Sequence, residues 1–317
     1  MRSRVWRGSL TLAAVLSGLW CAPAMATAPS GPPPIFPKSV FGIPVTGQPV
    51  TQSSPQVVAE LAAQYRDHFG TVGINSMPVF VVPASQPRVV VGRDFGCADF
   101  EAVTGTVPIP PRAYTSGSGD GELIVDQPST HTEWELWRAS RSVTGAWSAC
   151  WGGRLDTASS TGVFPSSYGM SATGISYLAT IITESDVQSG SIDHAIPLQV
   201  PSCHGWTAPA VRGDCRSSTG TLLEGTWLRL PAGLSMPPGL TPLARMVFTA
   251  LETYGGVVTD RAGAVMTVAE SSRDWRFAGH SGTDPITAAS LAEPEYEALD
   301  GIPWTDLQAV QPPSPPG

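Results

Sequence analysis

The chain has 317 residues, of which only 14% are charged, and its formal net charge is −8. If the first 26 residues are removed, three arginines are lost, and 15 basic residues against 26 acidic ones leave a net charge near −11. Binding to a nucleic-acid backbone requires clustered lysine and arginine. The composition therefore argues against a nucleic-acid partner.

The N-terminus has the three parts of a secretory signal peptide. The first seven residues include three arginines, residues 9–20 are apolar, and Ala24-Met25-Ala26 has the small-x-small pattern of a cleavage site. The apolar run is too short to span a bilayer. We therefore expect residues 1–26 to be a signal peptide, and the mature protein to be secreted with no membrane association.

Four cysteines follow this segment, and an even number in an exported chain favours disulfides. Three pairings are possible. Cys203–Cys215 is favoured because it closes the short segment "CHGWTAPAVRGDC", and Cys97–Cys150 would follow. Zinc is the alternative, but the paired C-x-x-C spacing of structural zinc is absent. We expect two disulfides, no metal and no cofactor.

Proline-rich segments bound the chain. We expect residues 27–38 to be disordered and residues 281–317 to form an extended tail. Residues 39–280 could make one large domain or two small ones. They contain no internal repeat and no convincing linker, so we expect a single domain.

Two helices are indicated by capping residues and by apolar spacing. The first runs from Ser54 towards Gly70, and the second from Thr241 towards Gly255. Most other segments have the pattern of short strands, including "GVVTD" and "AVMTVAE", which "DRAG" would join as a hairpin. Many short strands, 33 glycines and 31 prolines predict a mainly β fold, a jelly-roll-like β-sandwich with two peripheral helices.

The segment "TEWELWRAS", Thr132 to Ser140, combines acids and tryptophans in alternation. In a strand, residues at i and i+2 share a face. One face would carry His131, Glu133, Glu135 and Trp137. The other face would carry Thr132, Trp134 and Leu136, and could lie on a core.

Two like charges on one strand face repel each other unless a cation, a ligand or a raised pKa relieves them. A solvated face is the simplest interpretation of Glu133 and Glu135. The alternative is a site, because pairs of carboxyl groups serve glycosidases as acid and nucleophile or base. Trp137 could stack on a sugar ring, although ordinary packing explains it equally well.

The sequence lacks the motifs of several other classes of enzyme. The chain has no G-x-S-x-G elbow, no H-E-x-x-H zinc helix and no P-loop. Its five histidines are scattered without metal-ligand spacing.

The order of several motifs resembles a group of secreted, mostly actinobacterial proteins without an established activity. These motifs are "WELWRAS", "CWGGRLD", "SATGISYLATIITESDVQSGSIDHAIPLQVP" and "ARMVFTALETYGGVVTDRAGAVMTVAE", in residues 40–270. The resemblance implies export and a single β-rich domain but no reaction. It singles out Glu135, Trp137, Arg154, Asp193 and His194.

Further candidates come from the same motifs. "WGGRLD" places Arg154 and Asp156 on one strand face after a glycine pair, as at a bulge or a close approach. Arg154 would neutralise Glu135 or bind a substrate carboxylate. A dyad of Asp193 and His194 would require a turn, and a histidine satisfied by other contacts is the commoner explanation.

The sequence thus predicts a secreted, monomeric, carbohydrate-active protein, a polysaccharide hydrolase or lyase. A non-catalytic carbohydrate-binding protein, using Trp134, Trp137 and Trp151, or a cell-envelope structural protein is the alternative. Its partner would be an extracellular carbohydrate. The candidate catalytic residues are Glu133, Glu135 and His194, and the candidate substrate-binding residues are His131, Trp137, Trp151, Arg154, Asp156 and Asp193.

Overall fold

A computed structural model describes residues 35–64, 71–94, 97, 105–117, 119–165, 168–291, 294 and 296–314. Residues 31–317 form one compact unit. The expected signal peptide and most of the proline-rich segment after it lie outside the described residues. Within the described ranges, no helix has both the length and the apolar character that crossing a membrane requires.

Helices and strands alternate irregularly along the chain. The helices are α1 Ser54–Ala63, α2 Glu184–Ser189, α3 Pro242–Thr253, α4 Ser272–Phe277 and α5 Pro285–Ala289. The strands are β1 Thr71–Met77, β2 Val79–Val81, β3 Val89–Arg93, β4 Gly105–Val107, β5 Leu123–Gln127, β6 Thr132–Trp137, β7 Ser140–Arg141, β8 Trp147–Ala149, β9 Trp151–Asp156, β10 Ile196–Val200, β11 Trp227–Arg229, β12 Gly256–Arg261, β13 Met266–Glu270 and β14 Gln308–Val310.

Both helices predicted from the sequence are present as α1 and α3. The Thr241 side chain accepts a hydrogen bond from the Ala244 N–H at 3.0 Å and caps α3. Gly255 follows this helix with φ at +78°, a conformation that glycine adopts without strain. In α1 the capping position is Ser53 instead of Ser54, and the expected terminator Gly70 lies outside the described residues.

The strands form three mixed sheets, so the chain is mainly β as predicted. Their orders are β1-β13-β10-β12-β11-β14, β2-β5-β6-β9 and β4-β3-β8-β7. The jelly-roll arrangement is not confirmed. Four strand pairs among the described residues are parallel, whereas a jelly roll is built from antiparallel strands.

The hairpin predicted at "DRAG" is wrong. Strands β12 and β13 lie in one sheet, but β10 lies between them. Strand β10 pairs with β12 in parallel and with β13 antiparallel. The turn pattern is local, whereas β10 comes some 60 positions before β12 in the sequence. The pattern therefore cannot indicate that β10 lies between β12 and β13 in the sheet.

Three apolar layers hold the sheets and helices together. The first packs α1 and α3 on the six-stranded sheet, with Leu61 and Phe248 at its centre. The second lies between this sheet and β2-β5-β6-β9, and includes Phe41 and Trp227. The third joins β2-β5-β6-β9 to the remaining sheet through Trp134 and Trp147. Strand β6 therefore lies between two apolar layers.

The segment expected to be an extended tail is part of the fold. Helix α5 buries Ile286, Trp304 is buried in the first layer, and β14 pairs with β11 at the edge of the six-stranded sheet. Apolar residues between the prolines of this segment are buried in the core. A high proline content alone does not show that such residues pack on the fold.

Both expected disulfides are present. Cys97 pairs with Cys150, and Cys203 pairs with Cys215 across a sequence separation of 12. The second bond closes the loop "CHGWTAPAVRGDC" at the edge of the candidate site described next.

Candidate functional site

Strand β6 holds the acids and tryptophans that the sequence singled out, and their alternation is confirmed. Trp134 and Leu136 pack into the third apolar layer, and Glu133 and Glu135 lie on the opposite face. That opposite face is also covered, because both glutamates are 0% exposed. The two acids therefore form neither a solvated face nor an open site.

A later segment of the chain covers Glu135, and the backbone N–H groups of that segment donate hydrogen bonds to its carboxylate. Its Oε1 accepts from the N–H of Tyr177 at 2.6 Å and of Leu178 at 3.3 Å, and its Oε2 accepts from the N–H of Met170 at 3.1 Å. Residues 168–178 thus pass directly over β6. Glu135 holds this segment in place.

A glycine in β9 makes this close approach possible. Gly153 is the register partner of Glu135, and a Cβ at Gly153 would lie 2.7 Å from the Phe164 ring and 2.8 Å from the Gly169 nitrogen. No side chain fits there without moving the covering segment. The close approach predicted from the glycine pair is confirmed.

Glu133 is less well satisfied than Glu135. Its Oε2 accepts from the Ser176 hydroxyl at 3.1 Å, whereas its Oε1 is buried and has no hydrogen-bond partner among the described residues. Asp126, its register partner on β5, likewise has a buried and unpartnered Oδ1 within this part of the chain. Protonation of such groups relieves the cost of burying their charge.

The pKa values of these three acids follow from this environment. Burial and the nearby Glu135 carboxyl raise the pKa of Glu133 well above its usual range. Burial raises the pKa of Glu135 to about 7, opposed by its backbone hydrogen bonds. Burial also raises the pKa of Asp126 to about 6.

A groove opens where the buried face of β6 ends. Trp137, on the same strand face as Glu135, is the register partner of Trp151 on β9, and both indoles are partly exposed. The groove has a volume of about 560 Å³. We call it the tryptophan groove; its walls include Trp137, Trp151, Tyr177, Gln199, Arg212 and Asp260.

Polar groups on one wall of the tryptophan groove form a connected network. The Tyr177 hydroxyl accepts from Gln199 Nε2 at 2.9 Å and donates to Asp260 Oδ2 at 3.2 Å. Asp260 Oδ2 also accepts from the Ala172 N–H at 2.9 Å. Burial raises the pKa of Asp260 to about 6, opposed by its backbone hydrogen bonds.

Both indoles of the groove are held by charged neighbours. Trp137 Nε1 donates to Asp120 Oδ1 at 3.1 Å, and the Arg212 guanidinium lies 5.3 Å from the centre of the Trp151 ring. Arg212 also donates to the carbonyl oxygens of Gly169 at 3.2 Å and Ser171 at 2.6 Å. It therefore ties Trp151 to the segment that Glu135 holds.

At one end of the groove, three carboxyl groups come together. Asp214, Glu224 and Asp260 each offer an oxygen, and these oxygens lie within 4.8 Å of one another. Burial and the adjacent Asp214 raise the pKa of Glu224 to about 8. We call these three residues the acidic cluster.

Three candidates close to β6 in sequence do not line the groove. His131 is exposed in a left-handed turn before β6, with φ at +49°. Arg154 is the register partner of Trp134 and lies on the face of β9 opposite Gly153, so it does not neutralise Glu135. Asp156 is exposed, and its Oδ1 accepts from the backbone N–H of Ala158 at 2.9 Å.

Asp193 and His194 belong to another part of the surface and do not pair with each other. His194 Nε2 lies 3.3 Å from Asp186 Oδ2, and its Nδ1 lies 3.1 Å from the Ala195 carbonyl oxygen. Burial lowers the pKa of His194, but Asp186 outweighs it and raises the pKa above its ordinary value. His194 is therefore the satisfied histidine that sequence reasoning favoured over a dyad.

Sequence reasoning missed most of the polar groups in the groove. Asp260 was placed where the predicted strand "GVVTD" meets the predicted turn "DRAG", and it lies within β12. Asp214 directly precedes Cys215, and the sequence indicated only a disulfide there, not a binding residue. Tyr177 and Gln199 lie in motifs that carried the resemblance, but they showed no pattern that separates a site from a core.

No family model matches the chain, and neither the curated proteins nor the solved structures match it. The resemblance stated from the sequence motifs therefore stays a prediction.

Proposed function

We propose that this chain is a secreted carbohydrate-binding protein, built on a β-sandwich, whose ligand lies in the tryptophan groove. The observation that carries the proposal is the cross-strand pair of Trp137 and Trp151, partly exposed on the wall of one groove. Indole faces suit the apolar faces of sugar rings. The two disulfides support an oxidising, extracellular location.

The shape and the polar groups of the groove support the same ligand class. A volume of about 560 Å³ lies within the usual range of small-ligand sites, about 300–1,000 Å³. Gln199 and Asp260 add an amide and a carboxyl group to the lining of the same groove. A sugar presents both an apolar ring face and hydroxyl groups, so it uses both kinds of group.

The groove favours binding over the hydrolase or lyase that the sequence predicted. Glu133 and Glu135, the expected catalytic pair, are fully buried. Their carboxyl groups are separated from the groove by the segment containing Tyr177, so they cannot touch a ligand there in this conformation. Catalysis by this pair stays a prediction that the groove geometry does not favour.

Binding to a panel of soluble polysaccharides tests the proposal. Neutral glucans, xylan, galactans, chitosan and uronic-acid polymers are compared by affinity electrophoresis and calorimetry. We expect at least one to bind, and Trp151→Ala to weaken binding about tenfold or more, which corresponds to about 1.4 kcal/mol.

Trp275→Ala is the matched control. Trp275 lies on α4, stacks on His280 with ring centres 4.0 Å apart, and is not among the residues that line the groove. The control should bind like the parent protein. The proposal fails if no polysaccharide binds, or if Trp151→Ala retains full affinity.

A further inference from the structure

The acidic cluster brings together residues from three separate segments. Asp260 lies on β12, Glu224 precedes β11, and Asp214 lies in the loop closed by Cys203–Cys215. One carboxyl oxygen of each lies within 4.8 Å of those of the other two. Asp214 and Asp260 also line the tryptophan groove, so the cluster is reached from solvent.

Glu224 provides a second, separate observation. Its side chain is 0% exposed, and its Oε2 accepts from the backbone N–H of Asp214 at 3.0 Å and of Cys215 at 3.5 Å. Its Oε1 is buried and has no hydrogen-bond partner among the described residues. An acceptor in that position costs free energy unless a proton or a cation joins it.

We propose that Asp214, Glu224 and Asp260 bind a divalent cation of the calcium class. Calcium takes carboxylate oxygens at about 2.3–2.6 Å, so ligand oxygens on opposite sides of the ion are separated by up to about 5 Å. Oxygens that lie within 4.8 Å of one another fit inside this shell. Magnesium, at about 2.0–2.1 Å, requires a tighter set.

Neighbouring groups fix the positions of the carboxyl groups in the cluster. Asp260 is fixed through the Tyr177 hydroxyl at 3.2 Å and the backbone N–H of Ala172 at 2.9 Å. Gly213 lets the disulfide-closed loop pass over Glu224, because a Cβ there would lie 2.0 Å from Glu224 Oε2. Asp260 is thus held from outside the cluster, and Glu224 is held by the backbone of the disulfide-closed loop.

Two guanidinium groups offset part of the charge of the cluster: Arg261 beside Asp214, and Arg212 through its electrostatic interaction with Asp260 and Glu224. The Arg261 guanidinium lies 3.7 Å from Asp214 Oδ2, but the two side chains are 40% and 47% exposed, so the ion pair is weak. Arg212, the other nearby guanidinium, donates to backbone carbonyl oxygens.

The open side of the cluster faces the groove. Asp214 is half-exposed, so water completes the coordination shell of the cation when no ligand is present. Binding of a cation by the acidic cluster does not require a carbohydrate in the groove.

The test uses the oxidised, exported protein after dialysis against EDTA. CaCl2 and MgCl2 are titrated separately at pH 7.5 by calorimetry, and thermal unfolding is followed with each salt. Tryptophan-sensitised TbCl3 luminescence gives a third readout, with CaCl2 as competitor. We expect CaCl2 to bind in a 1:1 ratio, to raise the Tm and to displace terbium, with weaker binding of MgCl2.

Asp214→Asn and Glu224→Gln each remove one charged ligand and should weaken calcium binding about tenfold or more. Asp214 is half-exposed, so its variant folds even if the Glu224 variant does not. Asp156→Asn is the control, because Asp156 is an exposed acid on β9 outside both the groove and the cluster and should leave the calcium affinity unchanged. The inference is overturned if calcium at millimolar concentration neither binds nor raises the Tm, or if Asp214→Asn binds it as tightly as the parent protein.

Discussion

The carboxylate of Glu135 accepts a hydrogen bond from the backbone N–H of Tyr177 at 2.6 Å, and this joins a fully buried acid to a wall of the tryptophan groove. The same carboxylate holds Met170, another residue of that wall, at 3.1 Å. Glu135 therefore shapes the groove from behind. Its neighbour Glu133 holds one hydroxyl, that of Ser176.

Glu135→Gln should destabilise the protein by about 1–3 kcal/mol, because an amide group has only one acceptor oxygen for backbone donors on both sides of the carboxylate. The Met170 or the Tyr177 N–H would then meet an NH2 group. Urea unfolding monitored by fluorescence gives the free energy of unfolding. An unchanged value would show that these hydrogen bonds do not hold the segment.

Glu133→Gln is the matched comparison, because Glu133 lies two residues before Glu135 on the same face of β6. Burial and the nearby Glu135 carboxyl raise the pKa of Glu133, which favours its protonated form, and a glutamine resembles a protonated glutamic acid in shape. We expect its free energy of unfolding to stay within about 1 kcal/mol of the parent protein. A loss as large as that of Glu135→Gln would contradict the assigned protonation state.

The stability of the protein should decrease as the pH rises from about 4 to about 8. The pKa of Asp126 is about 6 and that of Glu135 is about 7, and burial raises the pKa of Glu133 above its usual range as well. Because unfolded carboxyl groups have pKa values near 4, the folded chain binds these protons more tightly, and this stabilisation is complete below about pH 4. It is lost as the pH rises through the folded values, at about 1.4 kcal/mol per unit of pKa shift.

Thermal unfolding of the parent protein and Glu133→Gln between pH 4 and 8 measures this dependence. The variant should gain stability relative to the parent as the pH rises, because it has no carboxyl group to ionise at position 133. Parallel curves for the two proteins would count against a buried, proton-holding Glu133.

The two disulfides should contribute unequally to stability. Their sequence separations are 53 for Cys97–Cys150 and 12 for Cys203–Cys215. Loop-closure entropy gives about 4 kcal/mol for the longer loop and about 3 kcal/mol for the shorter one. Replacing each pair by serine and measuring urea unfolding tests the order; a larger loss for the Cys203–Cys215 pair would refute it.

The exported protein should begin at Thr27 and carry no free thiol. Ala24-Met25-Ala26 supplies the cleavage pattern, and all four later cysteines are paired. Intact mass spectrometry before and after alkylation under denaturing conditions checks both points. An N-terminus far from residue 27, or two alkylated cysteines without reductant, would disagree with this expectation.

Local patterns predicted much of the fold. The alternation in β6 identified the two faces of that strand, proline and threonine marked the start of α3, and the short spacing favoured Cys203–Cys215. Each of these depends on residues close together in the sequence.

The covering of the Glu135 face depends on residues far from it in sequence. Met170 and Tyr177 follow Glu135 by 35 and 42 positions. The only local sign of their approach was the glycine pair before Arg154, which indicated a close contact without naming the partner. The alternation of residues alone cannot distinguish a solvated acidic face from one that a later segment covers. The site was therefore expected over Glu135 rather than beside Trp137.

Asp214 and Cys215 are adjacent, so the covalent bond that closes the loop also fixes the position of one acid of the cluster. In a reducing compartment that bond is open, and the loop is free to move Asp214 away from Glu224 and Asp260. The three carboxylates are then assembled only after the cysteines are oxidised. Oxidation of Cys203 and Cys215 would thus precede the uptake of a cation at the proposed site.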